Sequence, residues 1–281
     1  MINSLIKLMP KALKKEYKFK KRILREWRFS NIDMGFGSLF SFRKIRKSQD
    51  YQMVFDKKEP LVSICVATYN RGELLIQRSV KSILNQTYKN IEVIVIGDCC
   101  TDNTVDLLSK IDDPRLRFKN LPTRGVYPEN KTHRWMVAGT TPVNEALSLC
   151  NGDFITHLDD DDEYPLDRIE KLVKFSQLKR ADIVWHPFEL EQASGEWLFV
   201  DAPKFVFQSV STSSVFYHRW FKSIPWDINA WKRDEPGDWN RFRKFVYLRA
   251  NAYRYPESLL YHFKEQSQKT DSSTSTPTRN E

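Results

Sequence analysis

The sequence lacks the features of secreted, membrane-spanning and zinc-binding proteins. No apolar run in its 281 residues approaches the roughly 18–20 residues that a membrane-spanning helix needs. The N-terminal segment MINSLIKLMPKALKK is interspersed with lysine and has neither the apolar stretch nor the small-residue cleavage site of a signal peptide. The cysteines show no CxxC spacing and two of them are adjacent: Cys65, Cys99, Cys100 and Cys150. We therefore expect a protein of the reducing cytosol with neither a disulfide framework nor a zinc site.

Positive charge is concentrated in an N-terminal arm. Residues 1–59 contain 16 Lys and Arg against 6 Asp and Glu, while the whole chain has a net charge of +9. Apolar residues recur in the arm at helical spacing, interrupted by Pro10: Ile2, Leu5, Ile6, Met9, Leu13, Tyr17, Leu24 and Trp27. A basic amphipathic helix suits an anionic membrane surface, and a helix that packs its apolar stripe on the main domain would show the same pattern. No nucleic-acid partner is expected, because no recognition motif accompanies the charge.

From residue 60 onward, short β-branched runs alternate with amphipathic segments. Strands are predicted at 61–67, 91–96, 115–119 and 154–158, and helices at 73–85, 102–111, 143–150 and 165–178. Such alternation is typical of an α/β fold, in which helices cover both faces of a mostly parallel central sheet.

One long loop and the elements after residue 181 are predicted from weaker sequence patterns. The segment 122–141 has no clear period and is expected to be a long functional loop. A hairpin is predicted from 182–190 and 196–200, a helix at 238–248 and a short strand at 258–263.

Four consecutive aspartates follow the predicted strand at 154–158. Like charges this close repel one another, so their presence needs a reason. At the end of a strand, Asp159 and Asp161 can point the same way and offer hard oxygen ligands to Mn²⁺ or Mg²⁺. Ligands of open α/β sheets also bind beyond the carboxyl ends of the strands. The alternative is an acidic loop that caps the following helix, which would explain a single aspartate more easily than four.

Polar residues also follow the first two predicted strands, in VATYNRG and IGDCCTDNT. In a doubly wound sheet both segments lie next to the aspartates. Asp98, the only charge in IVIGDCC, could accept hydrogen bonds from a base or a ribose. Tyr69 could stack on a flat ring or simply pack, and Asp102 is more simply a helix N-cap.

Taken together and in order, these segments resemble the family-2 glycosyltransferases with the GT-A fold. The resemblance starts at LVSICVATYNRGELLIQRSVKSILNQTYKNIEVIVIGDCCTDNT and continues through VNEALSLCNGDFITHLDDDDEYPLDRIEKL, where the family carries its DxD motif. It covers residues 60–180 strongly and 181–263 weakly. The family moves a sugar from a nucleotide-diphosphate donor to an acceptor hydroxyl, usually with inversion.

The resemblance implies a role for individual residues of this chain. Asp159 and Asp161 match the DxD motif and would hold Mn²⁺ or Mg²⁺. Donor-binding roles are implied for Thr68, Tyr69, Arg71, Asp98, Asn144 and Asp160. Val143 stands where an arginine often precedes the asparagine, so Arg134 or Lys131 becomes a candidate cation for the diphosphate.

Inverting transfer also needs a carboxylate that removes the proton of the acceptor hydroxyl. The family places it as the Asp of a Glu-Asp pair that opens a helix, and Asp238 in RDEPGDWNRFRKF occupies that position. Gly237 replaces the usual Glu, so Glu235 and Asp234 are rivals, and a capping role is the alternative for Asp238.

Some aromatic residues and one histidine have two interpretations each. Trp226, Trp231 and Trp239 could stack on sugar rings or belong to the core. His262 falls near a late His or Arg that touches metal or diphosphate in some relatives, with a core histidine as the favoured alternative.

The sequence therefore predicts a metal-dependent, inverting glycosyltransferase of polysaccharide, lipopolysaccharide or glycolipid synthesis. Its donor would be a nucleotide-diphosphate sugar, with a UDP-sugar favoured, and its acceptor a sugar or a lipid-linked sugar. It would be cytoplasmic, with the arm in peripheral contact with an anionic membrane. We expect a basic, partly helical arm (1–59), a donor-binding half (60–180), an acceptor-binding half (181–264) and a disordered polar tail (265–281).

Two other functions compete with this one. A nucleotidyltransferase usually needs a Gly-rich, basic loop after its first strand, and VATYNRG supplies a single glycine. A catalytically inactive nucleotide-sugar-binding or scaffold protein on the same fold would explain the broken Glu-Asp pair but not the intact aspartates.

Overall fold

The computed structural model describes residues 10–264. The predictions for residues 1–9 and for the tail at 265–281 lie outside the described residues. The described part of the arm is helical: it contains α1 (Lys11–Met34), α2 (Ser38–Arg46), α3 (Gln49–Gln52) and a 3₁₀ turn (Met53–Asp56). Within residues 10–264, no helix has the length and apolar character needed to cross a membrane.

Strands and helices then alternate as far as residue 179. The strands are β1 (Val62–Thr68), β2 (Ile91–Gly97), β3 (Leu116–Asn120) and β4 (Phe154–His157). The helices are α4 (Gly72–Leu75), α5 (Lys81–Leu84), α6 (Thr104–Ser109), α7 (Lys131–Val137), α8 (Thr140–Leu149) and α9 (Arg168–Lys179). A π-helical turn, Ile76–Val80, joins α4 and α5 into one continuous helix.

The second half of the fold contains shorter strands and a single long helix. The strands are β5 (Ile183–Trp185), β6 (Phe188–Glu191), β7 (Trp197–Val200), β8 (Val215–His218), β9 (Ala252–Arg254) and β10 (Tyr261–His262). The helix is α10 (Gly237–Tyr247), and short 3₁₀ turns cover Thr212–Ser214, Arg219–Ser223 and Ala230–Arg233.

A seven-stranded sheet in the order β3-β2-β1-β4-β8-β5-β9 forms the centre of the molecule. The pairs β1–β2, β1–β4 and β2–β3 are parallel, and β8 runs antiparallel to both β4 and β5. Because layers of structure cover the sheet, nearly every residue of β1 and β2 is buried. The predicted α/β fold with a mostly parallel sheet is therefore confirmed.

A second, three-stranded sheet has the order β10-β6-β7. Its β6 and β7 are antiparallel, which confirms the predicted hairpin. The predicted single strand at 182–190 is wrong, because β5 and β6 lie in different sheets. Pro187 stands between them, and proline cannot donate a ladder hydrogen bond.

Other local predictions also need correction. The loop predicted at 122–141 contains α7, which begins where the Asn130 side chain accepts a hydrogen bond from the His133 amide at 3.1 Å. The following helix, α8, begins at Thr140 rather than at 143. Strands β8 and β9 were not predicted, because each is only three or four residues long and such short runs carry little periodicity.

The second half of α1 is packed against α10 by buried polar contacts. The Trp239 indole donates to the Glu26 carboxylate at 2.9 Å, and the Arg243 guanidinium donates to the Ser30 hydroxyl at 3.0 Å. Asp33 accepts a further hydrogen bond from Arg243 at 2.6 Å. This part of the arm therefore packs on the main domain, but through buried polar side chains rather than through the apolar stripe that the sequence predicted.

Arg243 also holds Glu235, one of the rival candidates for the general base. Both side chains are almost fully buried, and their closest N–O distance is 2.8 Å. The Asn240 side-chain amide donates to the same Glu235 oxygen at 2.9 Å. Glu235 therefore has a structural partner in the interior, since a buried charge needs one.

We predict that Glu235→Gln will destabilise the protein by about 3 kcal/mol, because it leaves the buried Arg243 short of negative charge. Asp234→Asn is the matched control: Asp234 is exposed and has φ 57°, a left-handed conformation that Asn tolerates. The control should stay within about 0.5 kcal/mol of the parent protein. Urea unfolding followed by circular dichroism measures both, and equal stability of the two variants would contradict a structural role for Glu235.

Candidate functional site

Three adjacent parallel strands bring polar residues to one edge of the sheet. Thr68 ends β1, Asp98 follows β2, and Asp159 comes shortly after β4. The strands stay in register, with Thr68 opposite Gly97, and the Asp98 amide donates to the Thr68 carbonyl at 2.8 Å. The sequence segments that were predicted to meet at this edge therefore do so.

Two of the four aspartates, Asp160 and Asp161, are bound by residues at the end of β1 and just after it. The Thr68 hydroxyl donates to Asp160 at 2.7 Å. The Arg71 guanidinium lies 3.2 Å from a carboxylate oxygen of Asp160 and 3.2 Å from one of Asp161. Arg71 therefore neutralises part of the negative charge while its own side chain stays 39% exposed, within reach of an anionic ligand.

The other two aspartates form a group with His262. Ligand atoms of Asp159, Asp162 and His262 all lie within 4.8 Å of one another. The His262 Nδ1 atom lies 2.7 Å from Asp162, and the Phe263 amide donates to the other Asp162 oxygen at 3.0 Å. His262 is thus not a core histidine, which corrects the favoured interpretation of the sequence.

This group is electrostatically strained because its charges are buried together. Burial, reinforced by the neighbouring Asp162 and Asp161 charges, raises the pKa of Asp159 to about 8. Burial also raises the pKa of Asp160 to about 6, although the Arg71 charge opposes the rise. Although burial opposes the charge on His262, its hydrogen bond to Asp162 and the carboxylate charges raise the pKa of the imidazole to about 9. The group therefore retains protons at neutral pH that a divalent cation could replace.

Asp98 is held by the segment that follows β3. Its two carboxylate oxygens accept hydrogen bonds from the Gly125 amide at 3.0 Å and the Tyr127 hydroxyl at 2.8 Å. The Arg124 guanidinium lies 3.6 Å from the centre of the Tyr69 ring, a cation–π distance. Asp98 and Tyr69, both assigned to the donor by resemblance, are thus linked by residues 124–127, at the start of the segment that was expected to be a functional loop.

Asn144 is not joined to the aspartates by any contact described in the structure. Its side-chain amide donates to the Trp226 carbonyl at 3.0 Å and accepts from the Trp226 amide at 2.9 Å. It lines a separate groove of 380 Å³ together with Lys222. The candidate cation Arg134 folds back on its own loop and donates to the Pro128 and Glu129 carbonyls.

Asp238 lies in the first turn of α10, as predicted. One of its oxygens accepts from the Trp239 amide at 2.6 Å, and the other accepts from the Thr212 hydroxyl at 3.2 Å. Burial raises the pKa of Asp238, although both hydrogen bonds oppose the rise. A carboxylate that favours its protonated form in this way is suited to accept a proton.

Gly237, which breaks the Glu-Asp pair, lies close to the Trp226 ring. A Cβ atom at Gly237 would lie 3.3 Å from the Trp226 ring and 3.4 Å from the Met136 carbonyl. A larger side chain would therefore be crowded there.

Of the three tryptophans considered for sugar stacking, Trp226 and Trp239 are buried, and Trp231 stacks on His133 with 4.6 Å between ring centres.

A single short turn connects Asp238 to the aspartates. In the 3₁₀ turn Thr212–Ser214, the Ser213 hydroxyl accepts from the Asp159 amide at 3.0 Å, next to the Thr212 hydroxyl that binds Asp238. The buried Arg168 guanidinium donates to the Ser213 carbonyl at 2.9 Å. Sequence reasoning missed this turn, although the polar run STSS directly before a buried strand was a signal.

An open cleft borders the aspartates on the side of α4. It has a volume of 570 Å³. Side chains of both positive and negative charge line it, among them Arg71, Arg78, Asp102, Asp161 and Lys264. Asp102 accepts a hydrogen bond from the Thr104 amide at 3.1 Å just before α6, but the N-cap of α6 is Asn103, so the predicted capping position is wrong by one residue. The cleft is large enough to hold a small polar ligand beside Asp161 and Arg71.

Comparison with known proteins places this geometry in a family. The model of the glycosyl transferase family 2 matches residues 63–225, more than half of the chain. The glycosyltransferase GlyG of Streptococcus pneumoniae is 27% identical over 224 residues, covering 69% of this chain and 70% of GlyG. The UDP-Glc:alpha-D-GlcNAc-diphosphoundecaprenol beta-1,3-glucosyltransferase WfaP of Escherichia coli is 34% identical over 133 residues, or 47% of each chain. The chain thus matches about half the length of WfaP.

Solved structures share the fold. The crystal structure of Staphylococcus aureus TarS 1-349 in complex with UDP-GlcNAc has a TM-score of 0.56 and 17% sequence identity, covering 77% of this chain and 61% of TarS. This likeness confirms the predicted GT-A fold. Since the family model spans the strands that carry Thr68, Asp98 and the four aspartates, the chain belongs to glycosyl transferase family 2.

Proposed function

We propose that this protein transfers a sugar from a nucleotide-diphosphate donor to an acceptor hydroxyl with inversion. The observation that carries the proposal is the meeting of Arg71, Asp98 and the four aspartates at one edge of the sheet. Asp238 is connected to them through the Thr212–Ser214 turn. Membership of the family supports the reaction class, and the site residues supply each of the functions that the reaction needs.

The donor is proposed to bind along the carboxyl ends of β1, β2 and β4. Asp98 and Tyr69 would contact the base, while Thr68, Arg71 and Asp160 lie where the diphosphate would approach the aspartates. Asn144 is bound to the Trp226 backbone in this structure. Its proposed contribution to donor binding is to hold α8 in place. A UDP-sugar is favoured, because the TarS structure is described in complex with UDP-GlcNAc and WfaP is named for UDP-Glc.

A divalent cation, Mn²⁺ or Mg²⁺, fits the aspartates. Hard carboxylate oxygens are the ligands that both ions prefer. Asp159, Asp162 and the His262 imidazole place three ligand atoms within 4.8 Å of one another. Asp159 and Asp161 are the ligands implied by DxD. The geometry groups Asp159 with Asp162 and His262 instead, while the Asp161 carboxylate lies 3.2 Å from Arg71. When bound, such an ion acts as a Lewis acid that stabilises the diphosphate leaving group.

Asp238 is the proposed general base. It has the raised pKa of a buried carboxyl and no salt bridge among the described contacts. Of its rivals, Glu235 is bound to Arg243 and Asp234 lies exposed at the end of a 3₁₀ turn. Inversion follows from a single attack by an acceptor hydroxyl that Asp238 deprotonates.

The acceptor is proposed to be a sugar or a lipid-linked sugar in polysaccharide, lipopolysaccharide or glycolipid synthesis. WfaP is named for a diphosphoundecaprenol-linked acceptor. Residues 60–180 would then form the donor-binding half and 181–264 the acceptor-binding half. We further propose that the protein works in the cytoplasm, in peripheral contact with a membrane.

We predict that the purified protein will release nucleoside diphosphate from one member of a panel of UDP-, GDP- and dTDP-sugars in the presence of Mn²⁺. Water replaces the acceptor in this assay. A chelator or Asp161→Ala should reduce release by at least about tenfold, because the leaving group loses its stabilising charge. Asp167→Ala, outside the aspartate group, is the matched control and should behave as the parent protein. An inactive parent protein that also binds no nucleotide would favour the scaffold alternative.

We predict that Asp238→Asn will slow the same reaction by about 10²- to 10⁴-fold, the usual contribution of a general base. Asn keeps the shape of the side chain: its oxygen can accept from the Trp239 amide while its NH₂ group donates to the Thr212 hydroxyl. Asp234→Asn should leave the rate unchanged. Nucleotide affinity, measured by calorimetry, should be equal in both variants, and an unchanged rate in Asp238→Asn would exclude Asp238 as the base.

A further inference from the structure

The outward surface of α1 and α2 combines strong positive charge with exposed apolar side chains. We propose that this surface docks on an anionic lipid membrane, with the helices lying in the interface between headgroups and water. The proposal deepens the membrane contact included in the proposed function, but it rests on the surface itself and can be tested without any enzymatic activity.

The charge of this surface is one-sided. Residues 11–47 contain 13 Lys and Arg against the three acids Glu16, Glu26 and Asp33. Glu26 binds Trp239, and Asp33 pairs with Arg233 and Arg243. Two of the three acids thus face the body of the protein. Of the cations, Arg46 binds Asp182, Arg22 lies 3.6 Å from Glu26 and Lys20 pairs with Glu16, so the outward surface keeps a large excess of positive charge.

Large apolar side chains are exposed among these cations. Leu24 is 69% exposed and Phe36 is 67% exposed. Exposed side chains of the same kind are distributed along both helices: Leu13, Phe19, Ile23, Trp27, Ile32, Phe40 and Ile45. Isolated apolar residues are common on protein surfaces, but such a concentration marks an interaction surface.

Helical spacing arranges α1 into stripes that face different directions. Glu26, Ser30 and Asp33 form the stripe that packs on α10. Leu13 and Leu24 lie on an apolar stripe turned away from it, and the half-exposed Trp27 beside them also contacts Tyr247 of α10, with 6.2 Å between ring centres. A basic stripe runs beside the apolar one, at the spacing of three and four residues that places side chains on one helix face: Lys14, Lys18, Lys21, Arg25 and Arg28.

A lipid membrane fits this combination better than other partners do. A nucleic acid would use the cations but would leave side chains such as Leu24 and Phe36 exposed. A second copy of this surface would carry the same positive charge and be repelled. Anionic headgroups attract the cations, and the acyl boundary accepts the apolar side chains, as in helices that lie on membranes.

Docking through α1 would bring the membrane close to the helix that carries Asp238. The Glu26 carboxylate of α1 binds the Trp239 indole at 2.9 Å, and Trp239 directly follows Asp238. The acceptor hydroxyl must reach Asp238 in the proposed reaction. The contact between α1 and α10 therefore offers a short route from a lipid-linked acceptor to the proposed base.

We predict that the full chain will sediment with vesicles that contain phosphatidylcholine and phosphatidylglycerol, but not with vesicles of phosphatidylcholine alone. Lys18→Glu/Lys21→Glu should weaken binding by at least about tenfold, since each lysine near the surface contributes to attraction. Leu24→Ser/Phe36→Ser should also weaken binding without changing the charge. The control Lys110→Glu/Lys179→Glu makes the same change of net charge at exposed sites elsewhere and should bind as the parent protein does.

Several outcomes would overturn the proposal. These are equal binding to both kinds of vesicle, no binding to either, or an equal loss in the control variant. Self-association that the Leu24→Ser/Phe36→Ser variant abolishes would assign the surface to a second copy, and retention by RNA would assign it to nucleic acid. Donor hydrolysis without vesicles measures the proposed function separately, so failure of either proposal can be recognised.

Discussion

Mutual repulsion of four neighbouring carboxylates behind a buried strand is the constraint on which this structure depends. Burial removes the water that would otherwise screen the charges, so each aspartate needs a partner from elsewhere in the fold. Arg71 and Thr68 bind Asp160, and His262 binds Asp162. Asp159 remains with a strongly raised pKa. The residues of the candidate site thus reduce the repulsion among the aspartates, and a bound divalent cation would reduce it further.

The parts of the site that depend on local pattern could be predicted from the sequence. Continuous β-branched runs indicated parallel strands, and the ends of parallel strands share one edge of the sheet. The pattern of strands alone therefore predicts that Thr68, Asp98 and Asp159 meet at that edge. Family motifs added a proposed role for Asp238, which lies in the first turn of a helix, as expected.

The parts that depend on long-range packing could not be predicted. His262 reaches Asp162 from 100 residues away. Only the position of a late histidine in some relatives pointed to the site, and the local sequence favoured a core histidine. The Thr212–Ser214 turn, which connects Asp159 to Asp238, becomes visible only when β8 is known to lie beside β4. In the sequence, Gly237 only interrupts the family motif. The structure adds that a Cβ atom there would lie 3.3 Å from the Trp226 ring.

Titration of the protein with Mn²⁺ by calorimetry across a range of pH tests the role of the carboxylates most directly. Below the Asp159 pKa of about 8, Mn²⁺ must displace a proton from Asp159, and a second from His262, whose pKa is raised to about 9, when the imidazole binds the ion. Its affinity should therefore rise by about tenfold to about 100-fold for each pH unit between about pH 6 and about pH 8. Proton release should accompany Mn²⁺ binding, and Asp162→Asn should lower the affinity for Mn²⁺. An affinity that does not change with pH, or that survives Asp162→Asn intact, would contradict the account.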